Sequence, residues 1–411
     1  MSEKRNSKDI AIISMILFYP AVRGYMCALL NVVLGRLGIP MAQWLFDTIC
    51  WGSILLIALP TLLSRLRTKH VLVGLGFWSL SFILFLLELS PAFSTDEMTE
   101  LCLFTFPPFF VGACVRVNKN DFKFLYWIAF AVFGMLAAYQ VFNILGGDQV
   151  LSDNMDYAYK ILPAVVVLVG GCFYNRHKFP SVLLAVGATV FLMFQGTRGP
   201  LVCVVVFVCL MLYKKFGFGK IVVGVASLAI AAMLVISSPA FLSGLERLSQ
   251  QTEKLGFSSR FITKIVEGEF GDSSGRDEII DRLMTDFEKD PVQIRGFYAD
   301  RLANAKEGRD EDIMNRYAHN ILYELLYDFG LIVGGFLIVL LFLGLLRVIR
   351  GSDADSAFLV MEFIVCGFVH LLLSSSFLWS AHFFCLFGLF LNDSLRQTAS
   401  APEELPSTSV A

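Results

Sequence analysis

Long apolar runs recur along nearly the whole chain, and no other feature limits its possible folds as tightly. Hydrophobic residues make up 56% of its 411 residues and the mean hydropathy is +0.68, so this is not a soluble protein. In hydrocarbon every backbone N–H and C=O must be satisfied internally, which a helix does within one segment of roughly 20 residues. The runs predict an all-α polytopic membrane protein of about twelve spans, which excludes a single-span receptor. The spans are expected at 10–33, 42–63, 71–90, 101–115, 122–145, 158–174, 180–195, 200–213, 219–237, 319–346, 356–374 and 376–393. The first run has no cleavage site of small residues and is read as a retained span.

Basic residues in the short loops set the orientation. With the N-terminus in the cytoplasm, the inside segments carry Lys4, Arg5 and Lys8; Arg65, Arg67 and Lys69; Arg116, Lys119 and Lys123. They continue with Arg176 and Lys178; Lys214, Lys215 and Lys220; and Arg347 and Arg350. The outside loops 91–100 and 146–157 hold acidic residues and no Lys or Arg. An even number of spans then brings the C-terminus inside as well. All nine cysteines fall within expected spans, where they read as small apolar core residues, and no disulfide framework is implied. Net charge is −2, and no basic stripe with interleaved aromatics predicts a nucleic-acid partner.

One segment breaks the pattern. Residues 238–318 are too polar for the bilayer and too long for a connector, and the topology puts them outside. The expected organisation is therefore helices one to nine in 1–237, a large outside loop at 238–318, helices ten to twelve in 319–393 and a tail at 394–411. Ser243-Gly-Leu-Glu246 reads as a capping box opening one loop helix, with Gly256 as its stop. Ser274-Gly-Arg-Asp277 opens a second, whose apolar face is Ile279, Ile280, Leu283, Met284 and Phe287 and which Asp290-Pro291 ends. Faces this narrow predict a loop packed on the membrane domain.

Of five histidines, only His319 joins the outside segment to a span. His70 and His177 sit in inside loops where a solvated role is expected; His370 and His382 lie in spans eleven and twelve and suit bundle histidines with a hydrogen-bond partner. An imidazole at a membrane–water boundary can move protons where a lipid-borne substrate meets water, though an amphipathic ring also suits that depth structurally.

Two arginines precede it on the same side. Arg198 lies in Phe194-Gln195-Gly196-Thr197-Arg198-Gly199-Pro200, a tight outside turn before a span whose N-terminal amides face outward. Arg276 repeats the arrangement at the second loop helix, where amides and guanidinium can converge on phosphate, and Arg295 and Arg301 follow. Each taken alone also fits a solvated or helix-anchoring arginine. Arg23 in span one and Glu88 in span three are costly at their depth unless paired or wet, and Arg23 is the stronger candidate for ligand contact. Glu324 and Asp328 follow His319 by about one and two turns and could orient it, flank an acceptor site or serve the helix dipole. No metal or nucleotide motif is readable, and no cofactor is expected.

In this arrangement the chain resembles the O-antigen polymerase and O-antigen ligase superfamily of bacterial envelope enzymes. The most specific piece is His319-Asn320, nine residues and then Gly330, which is similar to the family's His-(Asn/Ser/Gln)-x9-Gly pattern. The ligase version continues with two residues and Gly, Thr or Tyr; here Val333 holds that place and Gly334 comes one position late, which favours the polymerase. The resemblance implies a metal-independent, inverting glycosyltransferase of the membrane-embedded GT-C type in the bacterial inner membrane, its site facing the periplasm. Its donor would be a glycan on undecaprenyl pyrophosphate, its acceptor a lipid-linked repeat unit, and a chain-length regulator protein a further partner beside membrane lipid. Arg198 and Arg276 would bind the pyrophosphate, with Arg295 or Arg301 assisting and Asn320 and Arg23 among the substrate contacts; His319 would be the general base. A ligase acting on lipid A-core, or a lipid-linked glycan transporter, are the alternatives.

Overall fold

A computed structural model describes residues 3–36, 43–86, 95–116, 121–145, 155–195, 197–217, 239–254, 263, 266, 276–305, 317–352 and 356–392. All secondary structure among them is helical. Helices α1 (Glu3–Arg36), α2 (Gln43–Arg65), α3 (Thr68–Leu86), α4 (Thr95–Cys114) and α5 (Phe122–Leu145) lead into α6 (Met155–Tyr174), α7 (Lys178–Met193) and α8 (Gly199–Phe216). The polar segment supplies α9 (Pro239–Lys254), α10 (Arg276–Lys289) and α11 (Ala299–Ala305). Helix α12 (Ile321–Phe329) then passes through a π-turn (Gly330–Gly334) into α13 (Gly335–Gly351). Helix α14 (Ala357–Ile364), a second π-turn (Val365–Val369), α15 (His370–Leu373) and α16 (Ala381–Leu391) complete the order.

Six of these stretches are long and apolar enough to cross a membrane: Lys8–Cys27, Phe46–Arg65, Phe122–Val141, Tyr157–Tyr174, Gly199–Phe216 and Ile321–Gly351. Four shorter apolar helices accompany them, Leu101–Cys114, Lys178–Met193, Ala357–Leu373 and Ala381–Leu391. The span expected at 219–237 lies outside the described residues, as do Glu88 and the tail. Apolar side chains such as Leu56, Leu63, Phe179, Ile332 and Phe336 face outward, an arrangement suited to lipid and costly in water.

Contacts at the helix ends fix which ends lie together. Asp9 near the start of α1 takes a 2.5 Å bond from Arg65 at the end of α2 and accepts the Arg116 amide after α4. Asn392, just past α16, donates to the carbonyls of Gly112 and Val115. The beginning of α1 and the end of α16 thus share one end of the bundle. His70 belongs there too, and the expectation of a solvated ring is corrected: it is buried, accepting from the Arg67 amide and lying 3.9 Å from Cys114 Sγ. His177 is exposed at the N-terminus of α7. Toward the other end of the apolar stretch Lys8–Cys27, near the start of α2, Arg23 forms two 2.7 Å bonds to Asp47, which also accepts from Tyr19. Pairing is the condition on which a span tolerates such charges.

In the polar segment, α9 starts four residues before the expected cap, so Ser243 lies inside the helix. Pro239 can open a first turn because its missing N–H would have no partner there, and this takes precedence over the Ser243 box. Helix α10 begins at Arg276 and ends at Lys289, before Asp290-Pro291. It buries Leu283 and Phe287 against Ala299, Ala318 and Tyr327, so this part of the segment rests on α11 and α12.

Candidate functional site

The polar segment meets the bundle at His319. Its φ of 54° puts a non-glycine residue in the left-handed region, a conformation that persists only where neighbours enforce it. Those neighbours are on either side. The Ala318 amide donates to Asp300 Oδ2 at 2.9 Å, while Asn320 caps α12 by accepting from the Leu322 amide at 2.9 Å. The Asn320 amide group donates in turn to the Leu372 carbonyl at 3.2 Å. Asn320 is thereby engaged in holding the turn. The imidazole lies 4.0 Å from the Tyr317 ring, and its Nδ1 is buried without a hydrogen-bond partner among the described residues.

Burial first, and then the charges of Arg276 and Arg301, lower the His319 pKa to about 4. The ring is therefore neutral near pH 7, with a lone pair to accept a proton. Arg276, the first residue of α10, donates to the Leu373 carbonyl at 2.5 Å and so crosses from the polar segment to the end of α15. Arg301 is fully buried. Its guanidinium lies 4.2 Å from the Tyr298 ring, 4.0 Å from Trp379 and 5.6 Å from Tyr317. Tyr317 bonds to the Ser374 side chain and the Ser375 backbone, and burial raises its pKa. Ser375 itself has φ 69° and Tyr298 has φ 63°. Among the described residues, these two and His319 are the non-glycine residues with positive φ, and all three belong to one cluster.

Arg198 precedes α8 and is its N-terminal cap residue without a side-chain cap bond; Pro200 occupies the first turn. The adjacent Gly199 packs so closely on the Tyr159 hydroxyl and Leu373 that a side chain there would collide with Tyr159. The Arg-Gly turn therefore stands beside the carbonyl that Arg276 grips. Thr197 Oγ1 in the same turn is buried with no partner among the described residues.

Other expected site residues lie apart. Arg295 donates to the carbonyls of Asp286, Asp290, Gln293 and Tyr327, and its guanidinium lies 4.7 Å from the Tyr327 ring. It joins the end of α10 to α12, and it is not among the charges that lower His319. Arg23 lies against Asp47 and lines a partly open cavity together with Tyr159 and Trp379.

Glu324 and Asp328 do not bond to His319. With Asp300 they form a buried trio whose oxygens lie within 4.8 Å of one another, a grouping the sequence analysis missed. Protein donors already meet most of these oxygens. Glu324 binds the Ser376 hydroxyl and the Phe377 amide; Asp300 binds the amides of Arg301 and Ala318; Asp328 accepts the Asp300 amide. Burial raises the Asp300 pKa against the pull of Arg301. The trio clamps the 317–320 turn to the 374–379 turn, and it is the group among the described residues with metal-ligand spacing. The signal for it was poor because Asp300 lies in a seven-residue helix far from Glu324 in sequence.

His382 Nε2 bonds to the Leu17 carbonyl at 2.8 Å, and His370 stacks on Tyr159 with centroids 3.9 Å apart. No curated protein and no solved structure matches the chain. Residues 183–340 match the family model described as O-antigen ligase, a stretch that contains the Arg198 turn, Arg276, Arg301 and His319, and the match supports the resemblance to the O-antigen polymerase and ligase superfamily.

Proposed function

We propose that the chain is a surface-polysaccharide polymerase of the bacterial inner membrane. Members of its family are glycosyltransferase-like enzymes. It transfers a growing glycan from undecaprenyl pyrophosphate to a lipid-linked repeat unit with inversion, in the membrane-embedded GT-C manner and without a metal ion. The observation that carries this reading is the neutral imidazole of His319, held in a left-handed turn between Arg276 and Arg301.

His319 takes the proton from an acceptor hydroxyl as that oxygen forms its bond to the anomeric carbon. The bond from that carbon to the pyrophosphate oxygen breaks on the opposite face, and its electron pair leaves with the pyrophosphate. Arg276 and Arg198 hold the leaving group, and buried Arg301 adds positive potential from below. We assign Arg295 to holding α10 on α12 and Asn320 to holding the turn.

A ligase that transfers the glycan to lipid A-core is the second reading, favoured by the description of the matching family model. The glycan profile of a deletion strain separates the two. Lipid A-core bearing one repeat unit identifies the polymerase, whereas long chains left on the lipid carrier identify the ligase. Repeat units retained on the inner leaflet would instead mark a transporter. His319→Ala should reproduce the deletion profile while the protein still accumulates in the membrane; wild-type chain lengths in that variant would sink the general-base assignment.

A further inference from the structure

A partly open cavity of about 300 Å³ lies among the bundle helices and shares two walls with the His319 cluster. One is Tyr159, which packs on Gly199 of the arginine turn; the other is Trp379, whose ring lies 4.0 Å from the Arg301 guanidinium. Ser375, one of the three left-handed residues, also lines it. The space is small-ligand sized, and Arg23 and Lys160 are the Lys or Arg residues in its wall.

The walls say what kind of ligand fits. Tyr19, Phe104, Tyr159 and Trp379 supply aromatic surface, which suits the C–H faces of a sugar ring. Two cations, Arg23 and Lys160, line the cavity; Arg23 meets both oxygens of Asp47, and the Lys160 ammonium is a further donor that suits hydroxyl oxygens. Around the space, His370 Nε2 and Trp379 Nε1 are buried and make no hydrogen bond among the described residues. Hydroxyl groups can satisfy both, because each accepts and donates. Leaving such groups unmet costs free energy that a hydroxyl-rich ligand restores.

We propose that this cavity binds the sugar end of the acceptor, the end that carries the attacking hydroxyl. The proposal rests on the glycosyltransferase reading above and goes beyond it by giving acceptor and donor separate places. Arg276 and Arg198 take the charged pyrophosphate, while the cavity takes a carbohydrate ring across the Tyr159 and Trp379 walls.

The test uses the full chain in nanodiscs, with lipid-linked long chains as donor in excess. The single lipid-linked repeat unit, extracted from a deletion strain, is varied as acceptor. His370→Phe keeps a flat ring on Tyr159 and removes Nε2. It should raise the acceptor KM about tenfold, the size expected for one buried hydrogen bond, and leave binding of labelled undecaprenyl pyrophosphate unchanged. Cys366→Met, which fills part of the cavity, should do the same. An unchanged acceptor KM, or lost carrier binding, overturns the proposal.

With the wild-type protein, a diazirine on the terminal sugar of the repeat unit should label residues 159–163 or 375–382; labelling confined elsewhere also overturns it. His319→Ala in the same assay keeps the two ideas separable. If that variant is inactive at every acceptor concentration while His370→Phe behaves as wild type, the cavity assignment fails alone. If His319→Ala turns over normally, the general-base reading fails whatever the cavity does.

Discussion

At the scale of single residues, His319 combines a strained backbone with a lowered pKa, and both have causes among its neighbours. The Ala318 amide bound to Asp300 and the Asn320 cap hold the turn; burial, Arg276 and Arg301 hold the ring neutral. This predicts a pH dependence with a definite sign. The acid limb of kcat/KM reports the free enzyme and should fall near pH 4, well below the ordinary histidine value of 6.5. Binding an anionic pyrophosphate offsets the two guanidinium charges, so the acid limb of kcat, which reports the bound complex, should move upward. Arg276→Gln should raise the kcat/KM limb for the same reason. Profiles measured on protein in nanodiscs decide the matter, and a wild-type kcat/KM limb at or above 6.5 would refute the mechanism. His319 was legible in the sequence because it alone stood at the outside boundary of a span. Tyr159 and Trp379 were not legible, since an aromatic within or beside an apolar helix carries no pattern that separates a site wall from core.

At the scale of elements, the π-turn at Gly330–Gly334 explains a departure in spacing. A π-turn closes over one residue more than an α-turn, so it absorbs an extra residue without disturbing the helix on either side. Gly334 arrives one position late in sequence, yet lies where a side chain would collide with the Leu325 carbonyl. The departure at Val333 thus coincides with a local change of helix geometry. Gly330, the residue that the nine-residue spacing singled out, has φ 72° and packs against the carbonyls of Val292 and Gln293, 2.8 Å from where a Cβ would stand. The following amide, of Leu331, donates to the Pro291 carbonyl at 2.6 Å. Gly330→Ala should destabilise this junction by about 1–3 kcal/mol from backbone strain alone, with the carbonyl contacts adding to it. A fluorescence-detected thermal-shift measurement in detergent should show a lowered midpoint. An unchanged midpoint would mean that the loop does not seat on this turn. Among the described residues, the apolar helices were readable from length and apolar runs, because lipid leaves the backbone few alternatives, whereas the short α11 was not. The π-turns were not, since a single inserted residue leaves the apolar pattern almost unchanged.

At the scale of the whole molecule, the helix ends sort into two groups, and the proposed chemistry requires one particular group to face the periplasm. Asp9, Arg65, the Arg116 amide and Asn392 meet at one end; the Arg23–Asp47 pair lies toward the other end of the apolar stretch Lys8–Cys27, near the start of α2. In the proposed orientation, with the basic short loops inside, the first end faces the cytoplasm, and His319 and the arginines would meet the lipid-linked glycans on the outer leaflet. The nine cysteines are free and lie in apolar helices, so they can be replaced to give a background for labelling. In that background, a cysteine at Glu278, whose side chain is 76% exposed on α10, should react with an impermeant maleimide applied to spheroplasts. A cysteine at exposed His177 should react only after the membrane is permeabilised. Reversal of the two would place the imidazole, the arginine turn and the cavity in the cytoplasmic half. A transferase drawing on glycans from the outer leaflet could not work from there, so the sidedness measurement tests the proposed function at its most exposed point.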